Sequence, residues 1–186
     1  MDIERIAQEA REFGFTLAAP ISIETINPMT AVRDMCSVDK CRAYGKNWAC
    51  PPACGSVEDC ERNIKRYSDA IIVQTTAQLE DDFDFEGMDK AAKMHGYNFV
   101  SFHDFLREKY PGTEILALGT GGCMNCKECT YPDEPCRFPE KMVHPMEGYG
   151  IMISDVCKRN GIPYNHGRGT LTYIGCYLLK ERETNL

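Results

Sequence analysis

Apolar positions recur along this chain with two periods, and the periods divide it into helices and strands. Ile3, Ile6, Ala7 and Ala10 share one face of a helix expected over Ile3 to Phe13, with Gly14 placed to stop it. Phe15 to Ile23 reads as a strand interrupted or edged by Pro20. A short helix is expected from Cys60 to Tyr67. The run Ala70 to Thr76 is continuously apolar or β-branched, which predicts a strand buried on both faces. A long helix follows from Gly87 to Tyr110, with Met88, Ala91, Ala92, His95, Phe99, Phe102 and Leu106 at helical spacing and Pro111-Gly112 as its end. Thr113 to Leu118 and Leu171 to Leu179 read as strands. Met146 to Asn160 reads as a helix closed by Gly161-Ile162-Pro163.

This alternation predicts an α+β fold, a mixed sheet with flanking helices, with an α/β sandwich as the alternative. The 186 residues suit a single domain over 1–186. Two stretches, 28–60 and 119–145, carry no clear period and read as loops on that scaffold. No repeat and no low-complexity linker interrupts the pattern, and strand order is not readable from it.

Composition changes the picture at one residue type. The chain has 11 cysteines, nine of them inside those two stretches. The charged N-terminus, MDIERIAQEAREFGF, lacks the apolar core of a signal peptide, and no stretch approaches the roughly 18 apolar residues of a membrane span. The expected location is therefore the cytoplasm, where thiols stay reduced. An odd count also leaves a thiol over in any complete disulfide framework, so metal or cluster ligation is the stronger reading. The net charge of −7 disfavours nucleic acid as a partner, because phosphate binding needs a basic surface.

The spacing of the cysteines narrows the chemistry. Cys123, Cys126, Cys129 and Cys136 follow C-x2-C-x2-C-x6-C, with Pro139 just beyond. Such a run wraps a compact polynuclear centre, each thiolate reaching a different iron. A lone tetrahedral zinc needs only two pairs separated by a longer spacer. The bacterial ferredoxin run has three residues before its last cysteine where this chain has six, which leaves Cys136 free to ligate the same cluster or another. Cys36, Cys41, Cys50, Cys54 and Cys60 are five cysteines within 25 residues, one more than a tetrahedral site uses. Their spacing matches neither a zinc finger nor a ferredoxin. Here a cluster is expected on Cys36, Cys41, Cys50 and one of Cys54 or Cys60, with Cys54 slightly preferred and zinc as the alternative.

Lys40, Arg42 and Lys46 punctuate the first set and Lys127, Arg137 and Lys141 the second. Cations there would stabilise an anionic cluster, and are equally explained as solvated loop charge. Tyr44 and Trp48 are candidates to shield the first site. Cys157 and Cys176 stand alone in apolar elements and read as small buried hydrophobes. Gly119-Thr-Gly-Gly122 lets the chain turn into the second cysteine stretch. No Ser-His-Asp order, Walker loop or paired-carboxylate signature is present.

The run Arg42-Ala-Tyr-Gly-Lys-Asn-Trp-Ala-Cys50-Pro-Pro, then Cys126-Lys-Glu-Cys129-Thr-Tyr-Pro-Asp-Glu-Pro-Cys136-Arg-Phe-Pro139 and Met146-Glu-Gly-Tyr-Gly150, resembles a cysteine-rich family of predicted metal-binding proteins catalogued as a domain of unknown function. The resemblance runs from about Pro28 to the last strand. It implies a metal or iron–sulfur protein of mostly anaerobic bacteria and archaea, with no assigned reaction. Position by position it points to Cys36, Cys41 and Cys50 and to Cys123, Cys126, Cys129 and Cys136, and after these to Cys54 and Cys60.

The expectation is thus an iron–sulfur protein with two [4Fe–4S] clusters, passing electrons to a partner protein or a cofactor. An acidic chain suits a redox partner with a basic face. Two other classes compete: an enzyme or activator in which one cluster keeps an open iron, and a zinc-stabilised interaction module. The residues favour an electron-transfer or accessory protein over a stand-alone enzyme.

Overall fold

A computed structural model describes residues 1–182. Its strands are β1 (Leu17–Ile21), β2 (Asp69–Gln78), β3 (Thr113–Gly119), β4 (Val143–Pro145) and β5 (Thr170–Glu181). Its α-helices are α1 (Ile3–Glu12), α2 (Thr30–Cys36), α3 (Val57–Ile64), α4 (Phe85–Lys109) and α5 (Ile153–Arg159). The strands form one mixed sheet in the order β1-β2-β5-β3-β4. The first four are antiparallel to their neighbours, and β4 joins β3 in parallel, with Ala117 opposite Val143. The fold is α+β.

Both faces of this sheet are covered, because alternate residues of its central strands are apolar in both directions. Ile71, Val73, Ala117, Tyr177 and Leu179 face α1 and α4. Ile72, Leu118, Cys176 and Leu178 face the other way, onto α3, α5 and the turn at Met146–Ile151. Gly175 lets α4 come close: a Cβ there would meet Phe99 Cε2 at 2.5 Å. The Phe99 ring instead stacks on Tyr177 with centroids 4.4 Å apart, and the Tyr177 hydroxyl donates to Phe99 O at 2.6 Å. Pro20 lies in β1, the outer strand beside β2, where its missing N–H costs no ladder bond to a further strand.

Four features depart from the sequence pattern. The stretch 28–60 is not all loop: α2 occupies Thr30–Cys36 and buries only Val32, too little apolar surface to show a period. The next helix begins at Val57 rather than Cys60, because Ser56 caps it and the Asp59 side chain answers in a capping box. The last helix begins at Ile153 rather than Met146, because Glu147–Tyr149 is a 3-10 turn and Gly150 takes φ +79°. Finally β4, three residues long, lies inside the second cysteine stretch. Among the described residues no helix is long and apolar enough to cross a membrane.

Candidate metal centre

The cysteines outside the core gather past the C-terminal ends of β3 and β4. The first segment descends from α2, which is docked by a hydrogen bond from Met29 N to Gly150 O at 2.7 Å and an isolated bridge between Pro28 and Ile151. Cys36 is the last residue of α2. Asp39 then organises the turn: its Oδ1 accepts from Tyr44 N at 2.9 Å and its Oδ2 from Lys46 Nζ at 3.2 Å. The Tyr44 amide is the main cause holding the Asp39 carboxyl below its usual pKa. Asn47 closes the next turn, its Oδ1 accepting from Ala49 N and Cys50 N at 3.0 and 2.9 Å. The result is a cavity of about 410 Å³ whose wall includes Cys36, Cys41 and Cys50 together with Lys40, Tyr44, Gly121 and Gly122. Burial raises the Cys36 and Cys50 thiols above the ordinary thiol pKa.

The second segment leaves β3 through Gly121 and Gly122. Asn125 Nδ2 donates to Lys141 O at 2.6 Å, Arg137 Nη1 to Glu128 O at 2.9 Å, and Thr130 Oγ1 to Pro135 O at 2.9 Å. These bonds fold the run back on itself. Cys123, Cys126, Cys129 and Cys136 then border a single small void of about 30 Å³, closed by Asn47, Trp48, Ala49, Arg137 and Phe138. A void that size holds about one water, so a larger group seats there only as the loop parts.

The two sites share a wall. Asn47, Trp48 and Ala49 line the second void, and the next residue, Cys50, lines the first cavity. A Cβ on Gly122, next to Cys123, would sit 3.7 Å from Cys50 Sγ. Trp48 locks the segments together: its Nε1 donates to Glu134 O at 3.0 Å and its ring meets Tyr131 edge-on at 4.9 Å. His144 fixes the wall from below, with its Nδ1 2.9 Å from Ala49 O. Burial lowers the pKa of His144, so the imidazole is neutral and Nδ1–H donates. Of the aromatics expected to shield the first site, Tyr44 does line it, and Trp48 covers the second instead.

Cys54 and Cys60 sit behind the first cavity. Cys54 Sγ donates to Gly148 O at 3.5 Å, and its neighbour Ala53 and Cys54 itself line a separate opening of about 590 Å³ with Trp48, Cys136 and His144. Cys60, buried in the first turn of α3, has its Sγ 3.6 Å from Cys54 O. Arg33 reaches across from α2, donating from Nη1 to Gly55 O at 2.8 Å and from Nη2 to Cys60 Sγ at 3.1 Å. Contact with the Cys54 side chain and the Arg33 charge pull the Cys60 thiol below its usual pKa against the opposing effect of burial. Sequence reasoning passed over Arg33.

Among the cations flanking the motifs, Lys40 and Arg137 line the cavities. Lys46 pairs with Asp39, and Lys141 with Asp104 at 2.9 Å. Cys157 and Cys176 are fully buried in the core, where burial pushes the Cys157 thiol up to about 11. Among the described residues, no three of Cys, His, Asp and Glu converge closely enough to hold a single ion.

Two cysteine-bearing segments thus adjoin at one end of an α+β scaffold. The chain belongs to the family described as predicted metal-binding protein (DUF2284), whose model matches residues 19–179. No curated protein and no solved structure matches it.

Proposed function

We propose that this protein holds two [4Fe–4S] clusters and transfers electrons to a partner protein or a bound cofactor. The observation that carries the reading is the shared wall: two sets of cysteines border two spaces separated by Asn47–Cys50. Such an arrangement suits one-electron carriers, which need proximity to each other and to the surface and no deep substrate pocket. Cys123, Cys126, Cys129 and Cys136 would hold one cluster, and Cys36, Cys41 and Cys50 three irons of the other. Each cluster would supply a one-electron couple. Lys40 and Arg137 stand where they offset the negative charge of cluster and thiolates. The surroundings are cytoplasmic in this reading, and the net charge of −7 fits a redox partner with a basic face.

A second reading is favoured by one feature of the first cavity. Cys54, spaced as a fourth ligand, does not line the cavity, and its Sγ donates to Gly148 O instead. Three cysteines in the wall would leave a fourth iron without a cysteine ligand, in a cavity that Met35, Pro51 and Pro145 also line. A substrate or cofactor could bind there, which makes the protein an enzyme or activator.

Anaerobic purification with iron, acid-labile sulfide and zinc measured per chain tests both. Two cubanes require about eight irons and eight sulfides. About four irons and one zinc would assign zinc to one site. Zinc alone would end the electron-transfer reading and leave an interaction module.

A further inference from the structure

The outer face of α4 carries features that nothing within the chain accounts for. Gly96 lies in the middle of a helix of 25 residues, an interior position that glycine weakens. Its φ is not positive, and a Cβ there would meet nothing within 4 Å, so neither conformation nor internal packing calls for glycine. Beside it Tyr97 is 73% exposed, and Val100 one turn on is exposed as well. At about 100° per residue, Glu86, Lys93, Gly96, Tyr97, Val100 and Arg107 fall within about 50° of one line along the helix, away from its buried face. The line is apolar and bare at its centre and charged at its ends: Glu86 follows Asp81, Asp82 and Asp84 at one end, and Arg107 stands at the other. The ion pairs of α4 join Lys93 to Asp89, Lys109 to Glu9 and Asp104 to Lys141, and among the described residues they leave Glu86 and Arg107 without a partner.

We propose that this face is where two copies of the chain meet, α4 against α4, antiparallel about a two-fold axis between Gly96 and Tyr97. In a two-fold interface residue i of one copy meets j of the other, and j meets i. An axis at that point sets Tyr97 of each copy on Gly96 of the other, Lys93 beside Val100, and Glu86 against Arg107. The tyrosine ring lies on bare backbone, and any larger residue at 96 would hold the two helices apart. The Lys93 stem covers Val100 while its ammonium stays in water. Glu86 and Arg107 are roughly 30 Å apart along one helix, so each acidic end reaches the basic end of the other copy and not its own. A parallel pair would instead oppose like charges at both ends. The same axis places Asp89 opposite Asp104, a repulsion that Lys93 and Lys141 offset from within each copy. An apolar centre inside a charged rim is the usual anatomy of a protein interface, and opposite signs at its two ends make this one complementary to itself. The pairing does not depend on which metal fills the cysteine sites.

The test is sedimentation equilibrium of the full chain, purified anaerobically with its metal, at concentrations from ~1 to ~100 μM. The mass should rise with concentration to twice the 21.0 kDa of one chain. Gly96→Gln should weaken the association roughly tenfold while raising the denaturant midpoint of dilute, monomeric protein, since glutamine is the better helix former. A role for Gly96 within the monomer alone would move the midpoint and leave the association unchanged. Tyr97→Ala should weaken the association by a similar factor. Glu86→Arg and Arg107→Glu should each weaken it roughly tenfold, because the two-fold axis doubles every change, and the double variant should return to within roughly threefold of the native chain. A chain that stays monomeric at ~100 μM overturns the proposal. So does a dimer that these variants leave unchanged, which would pair through another surface. It is equally overturned if the double reversal fails to restore what the single reversals lose.

Discussion

At Gly150 a single backbone position joins the core to the first cysteine segment. Its φ of +79° turns the chain from the 3-10 turn into α5, and its carbonyl accepts from Met29 N, the residue that starts α2. A Cβ there would lie 3.0 Å from both Met29 N and Met29 O. Gly150→Ala should therefore cost roughly 2–3 kcal/mol, part left-handed strain and part displacement of Met29. Denaturant unfolding measures the loss, and an unchanged midpoint would show that α2 is docked by other means. At this scale the grouping of Cys36, Cys41 and Cys50 and of Cys123, Cys126, Cys129 and Cys136 is legible in their spacing, and the same residues border two spaces in the fold. Arg33 is not, because a lone arginine on a short helix carries no pattern until the fold sets it against Cys60.

Among the elements, α4 carries a titration that should be visible in stability. His95 and His103 lie on its buried face, each 2% exposed, and burial lowers both from 6.5 to about 4. The folded chain keeps them neutral where the unfolded chain would protonate them. Their contribution is fully present above about pH 6.5 and is lost as pH falls toward 4, by about 3 kcal/mol per histidine. Denaturant midpoints between pH 7 and 4.5 should fall accordingly, and His95→Gln should flatten part of that slope. A flat profile in the native chain would mean that the imidazoles are solvated. The long helix was legible because its six buried residues, from Ala91 to Leu106, keep a 3.6-residue period over about four turns. The same logic found α1, β2, β3 and β5, each with a continuous apolar face. It missed α2 and β4, which have one and two buried residues and are held by tertiary contacts rather than by pattern. The start of α3 is written in the Ser56–Asp59 capping box, one turn ahead of Cys60, the first buried position of the helix.

For the molecule as a whole, the two proposed cluster sites would be coupled, because Asn47–Cys50 is the partition between them. Whichever site fills first must order that strip of backbone, and the second then binds to a wall already set. The ordering entropy, about 1–2 kcal/mol per residue fixed, is met once instead of twice. If both sites fill as proposed, binding at one should raise affinity at the other by the same factor in both directions. Substoichiometric iron and sulfide should then yield a two-humped population, empty chains beside chains carrying both centres, with singly filled chains scarce. Native mass spectrometry during stepwise reconstitution resolves the three species. A binomial distribution would show that the strip transmits nothing. If the humps appear, Trp48 is the joint: Trp48→Ala, which unlatches the strip from Tyr131 and Glu134, should let half-filled chains accumulate.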